Sequence, residues 1–268
     1  MVRACEFTFA LPPYSGEVEQ PSSVADVLAL VTSEPGRPRL TWYGAGGERI
    51  ELSGAVLANW VSKTTNLLVE EFDAGPGVRI GLDLPAHWRS VVWAIAAWRS
   101  GARLVVGAEV GAAEVVVTDR PSAHVRAPQL VVVALPGLAR TYDGELPPGA
   151  IDAAAAVMTY GDVIGWTPEV EPGAAAVEPG GAGMPVRHAG LVPWAIEGTA
   201  APDGARVLLS AGPDRAGDVV RLLREVLGAL ARGGSVVVLG PSVVDDLAAD
   251  PARRERLVRA ERVTAEAG

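Results

Sequence analysis

The sequence predicts an α/β fold, doubly wound with mainly parallel sheets, and three observations carry that expectation. Apolar, β-branched runs recur without polar alternation, as strands read when both faces of a parallel sheet are covered. Segments with helical apolar spacing separate those runs, giving a strand–helix–strand rhythm. Size is the third: 268 residues, 49% of them apolar and 21% charged, suffice for one substantial core or two closely packed lobes.

Residues 1–22 carry several prolines and no period, so they read as an irregular lead-in. A helix begins at Ser53, a suitable N-cap, with Leu57, Trp60, Val61, Leu67 and Leu68 on one face. "GVRIGLDLP" (77–85) reads as a strand closed by Pro85. The helix after it carries a stripe of Trp88, Val91, Val92, Ile95 and Trp98, stops at Gly101, and leaves Trp93 off the stripe. "RLVV" (103–106), "EVVVT" (114–118) and "QLVVVAL" (129–135) read as buried strands. Residues 138–175, rich in Gly, Pro and Ala, read as a connection. "ARVLLS" (205–210), a helix over 215–232 and "SVVVLG" (235–240) repeat the theme, with Val219, Leu222, Leu223, Val226, Leu227 and Leu230 lining that helix before Gly233-Gly234 ends it. "DPARRERLVRAER" (250–262) reads as a solvated helix face.

Composition removes several classes of function. The net charge is -9 with no basic cluster, which argues against nucleic acid and anionic membrane surfaces, since both call for grouped Lys and Arg. Cys5 is the single cysteine, so neither a disulfide framework nor a cysteine zinc site is expected. The start of the chain lacks a basic segment followed by an apolar one, and the longest apolar stretch, "SVVWAIAAW" (90–98), is too short to span a bilayer. A cytoplasmic protein is expected. Lys63 is the one lysine among 23 basic residues.

Few side chains suggest chemistry. His87, His124 and His188 are not spaced as metal ligands and read as capping or surface residues, so no metal is expected. Ser210, His188 and Asp214 would supply a hydrolase triad by residue type, but no Gly-x-Ser-x-Gly elbow is present to hold the nucleophile. "LSAGPDRAGD" (209–218) places a Gly-Pro-Asp turn after a strand, where α/β folds bind ligands; equally, Asp214 suits the start of a helix. The stretch "AAVEPGGAGMPVRHAG" (175–190) holds four glycines, three of them ahead of Pro, Arg and His, and reads as a phosphate-cradling loop or the remnant of one.

The order of these pieces resembles the N-terminal part of the AMP-binding, or adenylate-forming, enzymes (acyl-CoA synthetases and relatives). "LTWYGAGGERIELSGAVLANWVSKTTNLL" is similar to that family's opening strand, turn and helix, and "GPGVRIGLDLPAHWRSVVWAIAAWRSGARLVV" to its glycine–strand–helix segment. "DGARVLLSAGPD", "LLREVLGALARGGSVVVLGP" and "RAERVTA" are similar to the segment after the phosphate loop. The resemblance covers residues 24–268, and a short actinobacterial family of AMP-binding-like proteins shares this truncated layout.

What the resemblance implies is a damaged site. It aligns 175–190 with the loop Ser/Thr-Gly-Thr-Thr-Gly-x-Pro-Lys. Gly180 and Gly183 match the glycines and Pro185 the proline, while Pro179, Gly181 and Ala182 replace hydroxyl residues and Val186 replaces the lysine. Losing two hydroxyl contacts and one ammonium contact removes about 5–8 kcal/mol of phosphate binding, several orders of magnitude in affinity. The backbone N–H groups of Gly180, Gly181 and Gly183, with Arg187 supplying charge from another angle, remain as a weak site. The family's aromatic-Gly-x-Thr-Glu motif, hinge aspartate and C-terminal catalytic lysine are expected to be missing beyond "ERVTAEAG". These points imply no cofactor, with ATP or AMP held weakly at most. The expected function is an inactive relative kept as a binding or regulatory module; the alternative is a weakened nucleotide or carboxylic-acid binder, at its extreme an acid-activating, AMP-forming ligase. The family layout further implies one domain with a lobe over 75–165 and a second built from 24–74 with 166–268. A homodimer or a protein complex is expected through 235–268, on the view that strand 235–240 lies near an uncovered edge.

Overall fold

The computed structural model describes residues 20–179 and 184–267. Helix α1 (Val24–Thr32) opens at a capping box in which Ser23 Oγ accepts the Asp26 N–H at 3.2 Å and the Asp26 carboxylate accepts the Ser23 N–H at 2.9 Å. Strands β1 (Pro38–Tyr43) and β2 (Arg49–Ser53) form an antiparallel hairpin that leads into helix α2 (Gly54–Phe72), whose N-cap is Ser53. Next come β3 (Arg79–Asp83), α3 (Trp88–Arg99), β4 (Arg103–Val106), β5 (Val115–Thr118), β6 (Gln129–Val132), β7 (Ile151–Asp152) and the single turn α4 (Ala153–Ala156). Strands β8 (Ala175–Pro179) and β9 (Val186–Arg187) precede α5 (His188–Gly198), β10 (Arg206–Ser210), α6 (Arg215–Ala231), β11 (Ser235–Leu239), α7 (Pro241–Ala249), α8 (Pro251–Ala260) and β12 (Ala265–Ala267).

Two sheets result. One has the order β12-β10-β11-β1-β2, parallel except for the β1–β2 hairpin. The other has the order β7-β6-β5-β3-β4-β8-β9, parallel except for β8–β9. The fold is mixed α/β with mainly parallel sheets.

Alternation along each strand sorts the side chains into layers. Leu40, Trp42, Val207, Leu209, Val236 and Val238 from the first sheet share a core with Ile80, Leu82, Leu104, Val115 and Val117 from the second. Helices α3 and α6 fill the space between, each touching strands of both sheets. The alternate positions Leu208, Val237 and Leu239 point the other way, under α7 and α8 through Val243, Leu247 and Leu257. Val116, Leu130 and Val132 form a smaller outer layer with Val110. A strand with a core on both sides has no polar face to display, which is why these runs lack alternation.

Three expectations need correction. The division at residue 165/166 does not follow the sheets, because β8 pairs with β4 and β9 with β8, so Ala175–Pro179 and Val186–Arg187 extend the seven-stranded sheet. Strand 235–240 is not at an edge: β11 is central, between β10 and β1, and the end positions belong to β12 and β2. The apolar stripe expected on α3 understates its burial, since every residue from Trp88 to Trp98 is buried, Trp93 included. A helix enclosed by α2, α6 and two sheets has no solvent side. Helix α2 packs on α1, α3 and the β1–β2 hairpin of the five-stranded sheet.

Candidate functional site

Of the glycine-rich stretch, Gly180, Gly181 and Gly183 lie outside the described residues, with Ala182. Its downstream flank is described. Val186 pairs with Val177 in the β8–β9 hairpin and is half-buried. Arg187 is exposed and begins α5 as its N-cap, and its Nη1 donates to Gly173 O at 2.5 Å. That bond ties the guanidinium to the base of the hairpin.

The other residues singled out from sequence have separate duties. Asp214 caps α6, accepting the Ala216 N–H at 3.2 Å. His188 is buried with Nε2 3.1 Å from Gly101 O, and Ser210 O accepts from Arg221. These three side chains form no triad hydrogen bonds among themselves. His124 Nε2 lies 2.8 Å from the Asp83 carboxylate, which also accepts from Arg120 at 2.7 Å and meets Arg215 of α6 at 3.4 Å. Burial pushes the Asp83 carboxyl upward, but the bonds from His124 and Arg120 and the charge of Arg215 hold it below its ordinary value. The cluster joins the seven-stranded sheet to α6 as structural bracing. Among the described residues no group of three or more His, Cys, Asp or Glu gathers as a metal site, and no helix is long and apolar enough to cross a membrane.

A cavity of about 360 Å³ opens where the two sheets meet. Its walls come from four carboxyl-terminal strand ends: Trp42 and Gly44 at the end of β1, Pro85 to His87 after β3, Leu135 and Pro136 beyond β6, and Gly240 to Ser242 from the end of β11 into the first turn of α7. Carboxyl ends of parallel strands are where α/β folds bind ligands, because the connections diverge there and leave a crevice. Glycines shape the wall. A Cβ on Gly240 would lie 2.9 Å from Trp42 Cη2, and one on Gly44 2.5 Å from Glu48 Oε2; glycine lets the backbone approach both groups.

Ser242 stands at the rim of this mostly apolar surround, and Glu48 and His87 are its two ionisable groups. Glu48, on the β1–β2 turn, accepts the Trp42 Nε1–H at 3.0 Å and the Gly137 N–H at 2.7 Å, joining the two sheets across the crevice. His87 is the N-cap of α3 and is 4% exposed. Its Nδ1 accepts the Arg89 N–H at 3.2 Å, and its ring meets Trp42 edge-on with centroids 4.4 Å apart. Burial, then the positive charge of Arg89, depresses its pKa to about 3. The imidazole is therefore neutral near pH 7, and with Nδ1 accepting, the proton resides on Nε2. Among the described residues Nε2 has no hydrogen-bond partner, and it is open to the cavity rather than sealed in the interior.

Arg89 turns away from the crevice. Its guanidinium sits over Trp88 at 4.4 Å and Trp60 at 5.5 Å, and Nη2 donates to Pro136 O at 3.1 Å. Burial lowers its pKa to about 10, offset in part by Glu48. No expectation from sequence fell on Trp42, Glu48 or Gly240, while His87, expected as a capping or surface residue, is a buried cap. The available signal was their place just after strands, in "WYG", "LPAH" and "LGP".

The crystal structure of Brucella canis acyl-CoA synthetase superimposes with a TM-score of 0.66 at 20% identity, covering 96% of this chain and 52% of that one. The fold is thus the one that this acyl-CoA synthetase has, and the chain spans about half that enzyme's length. No family model matches. The chain is 35% identical over 255 residues to the TIGR03089 family protein of Mycobacterium tuberculosis (strain ATCC 25618 / H37Rv), covering 88% of this chain and 93% of that protein. It belongs to the TIGR03089 family.

Proposed function

We propose that this chain is a non-catalytic relative of the adenylate-forming enzymes that serves as a binding or regulatory module. The observation that carries this reading is the pair Val186 and Arg187. Where the resemblance puts the phosphate-binding lysine stands a half-buried valine that brings no charge. The neighbouring guanidinium is engaged with Gly173 O. Lys63, the one lysine of the sequence, is held on another turn, 2.6 Å from Tyr160 O and 2.9 Å from Asp162. An ammonium at the transferring phosphates offsets charge that backbone N–H groups alone hold weakly.

The crevice supports the same reading. It is concave and mostly apolar, and its two ionisable groups are a neutral imidazole and a hydrogen-bonded carboxylate, which suits holding a ligand. The test is ATP–pyrophosphate exchange over a panel of fatty and aromatic acids. Turnover at the level of the enzyme-free blank is expected with every acid. Exchange above blank with any one of them overturns the proposal.

A further inference from the structure

We propose that the crevice between Trp42, His87, Glu48 and Ser242 binds an uncharged ligand that presents a carboxamide-type group on a flat apolar body. The inference rests on the reading of this chain as a binding module and names the chemistry its cavity selects. It starts from the His87 Nε2–H, a donor in a side chain that is 4% exposed, at the cavity wall, with no acceptor among the described residues. That N–H is open to the cavity and committed to no protein group, so a ligand that offers a carbonyl oxygen there gains a hydrogen bond. Nδ1 is committed to the Arg89 N–H, which leaves the ring one role toward the cavity, that of donor.

On the other side of Trp42 stands the opposite requirement. Each Glu48 oxygen accepts one N–H, from Trp42 and from Gly137, and each retains a further lone pair. That carboxylate favours a ligand N–H and opposes an anion. The positive charge of Arg89, which neighbours His87 and Glu48, is directed at Trp88 and Pro136 O. The first turn of α7 adds the partial charge of a helix N-terminus at Ser242, about half an elementary charge against the full charge of Glu48. Carboxylates are therefore disfavoured and a neutral group with both C=O and N–H is matched. Trp42, Ala86 and Leu135 supply the apolar walls, and about 360 Å³ falls within the size range of small-molecule sites.

Benzamide and benzoate form a near-isosteric pair that separates these alternatives. Each is titrated into the whole protein by ligand-observed NMR and by thermal shift. Benzamide is expected to bind saturably and benzoate at least tenfold more weakly. His87→Asn keeps an N-cap acceptor for Arg89 and withdraws the donor from the position of the ring Nε2, its amide N–H standing short of it; about a three- to tenfold loss of benzamide affinity is expected. Ser242→Trp, at an exposed position on the rim, fills the mouth and should abolish benzamide binding while circular dichroism is unchanged. It decides the matter if His87→Asn fails to fold. Benzoate binding as well as benzamide, benzamide binding unaffected by Ser242→Trp, or no saturable benzamide binding each overturns the proposal. Pyrophosphate exchange is read separately, so catalysis, if found, would overturn the non-catalytic reading without touching this result.

Discussion

Lowering the pH should destabilise this protein through His87, by an amount that the structure sets. In the fold the His87 pKa is about 3, against 6.5 for the free side chain. The folded value is the lower one, so as pH falls the unfolded chain takes up the proton first. The stability carried by neutral His87 is complete above about pH 6.5 and drains away from there down to about pH 3. Each unit below 6.5 removes about 1.4 kcal/mol, so at pH 5 the loss is about 2 kcal/mol, a large fraction of a typical domain's stability. Urea unfolding of the wild type and of His87→Asn at pH 8 and pH 5 measures it. Asparagine caps helices well, so the variant should fold and lack the titration. Burial also depresses His188, but that contribution appears in both proteins and cancels in the difference. The wild type is expected to lose about 2 kcal/mol more than the variant between the two pH values. Equal losses would falsify the assignment of a buried, neutral His87.

Helix α6 crosses α5 at Gly228, where an added Cβ would lie 2.5 Å from Ala195 O and 2.7 Å from Thr199 Cγ2. Gly228→Ala should therefore cost about 1–3 kcal/mol by forcing the two helices apart. At Gly190, inside α5, nothing lies within 4 Å of the same atom, and alanine should raise stability by about 0.5–1 kcal/mol; shifts of the same sign in thermal unfolding would contradict the close-approach reading. Association through 235–268 is expected as a homodimer, with β12 rather than β11 as the strand at the sheet's end. Light scattering at micromolar concentration should return twice the 27.7 kDa chain mass, and a monomer mass refutes it.

How much of this could be read from residues in order depends on the range of the forces involved. Strands β3, β4, β5, β6, β10 and β11 and helices α2, α3 and α6 were all visible from apolar period and from caps such as Ser53 and Asp214. Period and capping act over one or two turns, so neighbours along the chain suffice to specify them. Short elements escaped, among them α1 and α5. In α5, Pro193 interrupts the pattern and mostly apolar residues leave the helix with no contrasting face.

The glycine-rich stretch shows the boundary between the two kinds of information. Val186 in place of a lysine is plain in the sequence and bears on charge whatever the fold. That Arg187 is tied to Gly173 O follows from the pairing of β9 with β8, which only the folded sheet provides. The crevice lies wholly on the far side of that boundary. Trp42, Glu48, His87, Leu135 and Gly240 come from distant segments, and they meet because β1 pairs with β11 and β3 neighbours β5 and β4. Strand order, and with it which strand ends share a cavity, arises from long-range pairing between segments of similar apolar character. No single run of residues encodes it: "SVVVLG" reads alike for a central strand and an edge strand, and burial against its neighbours places β11 at the centre.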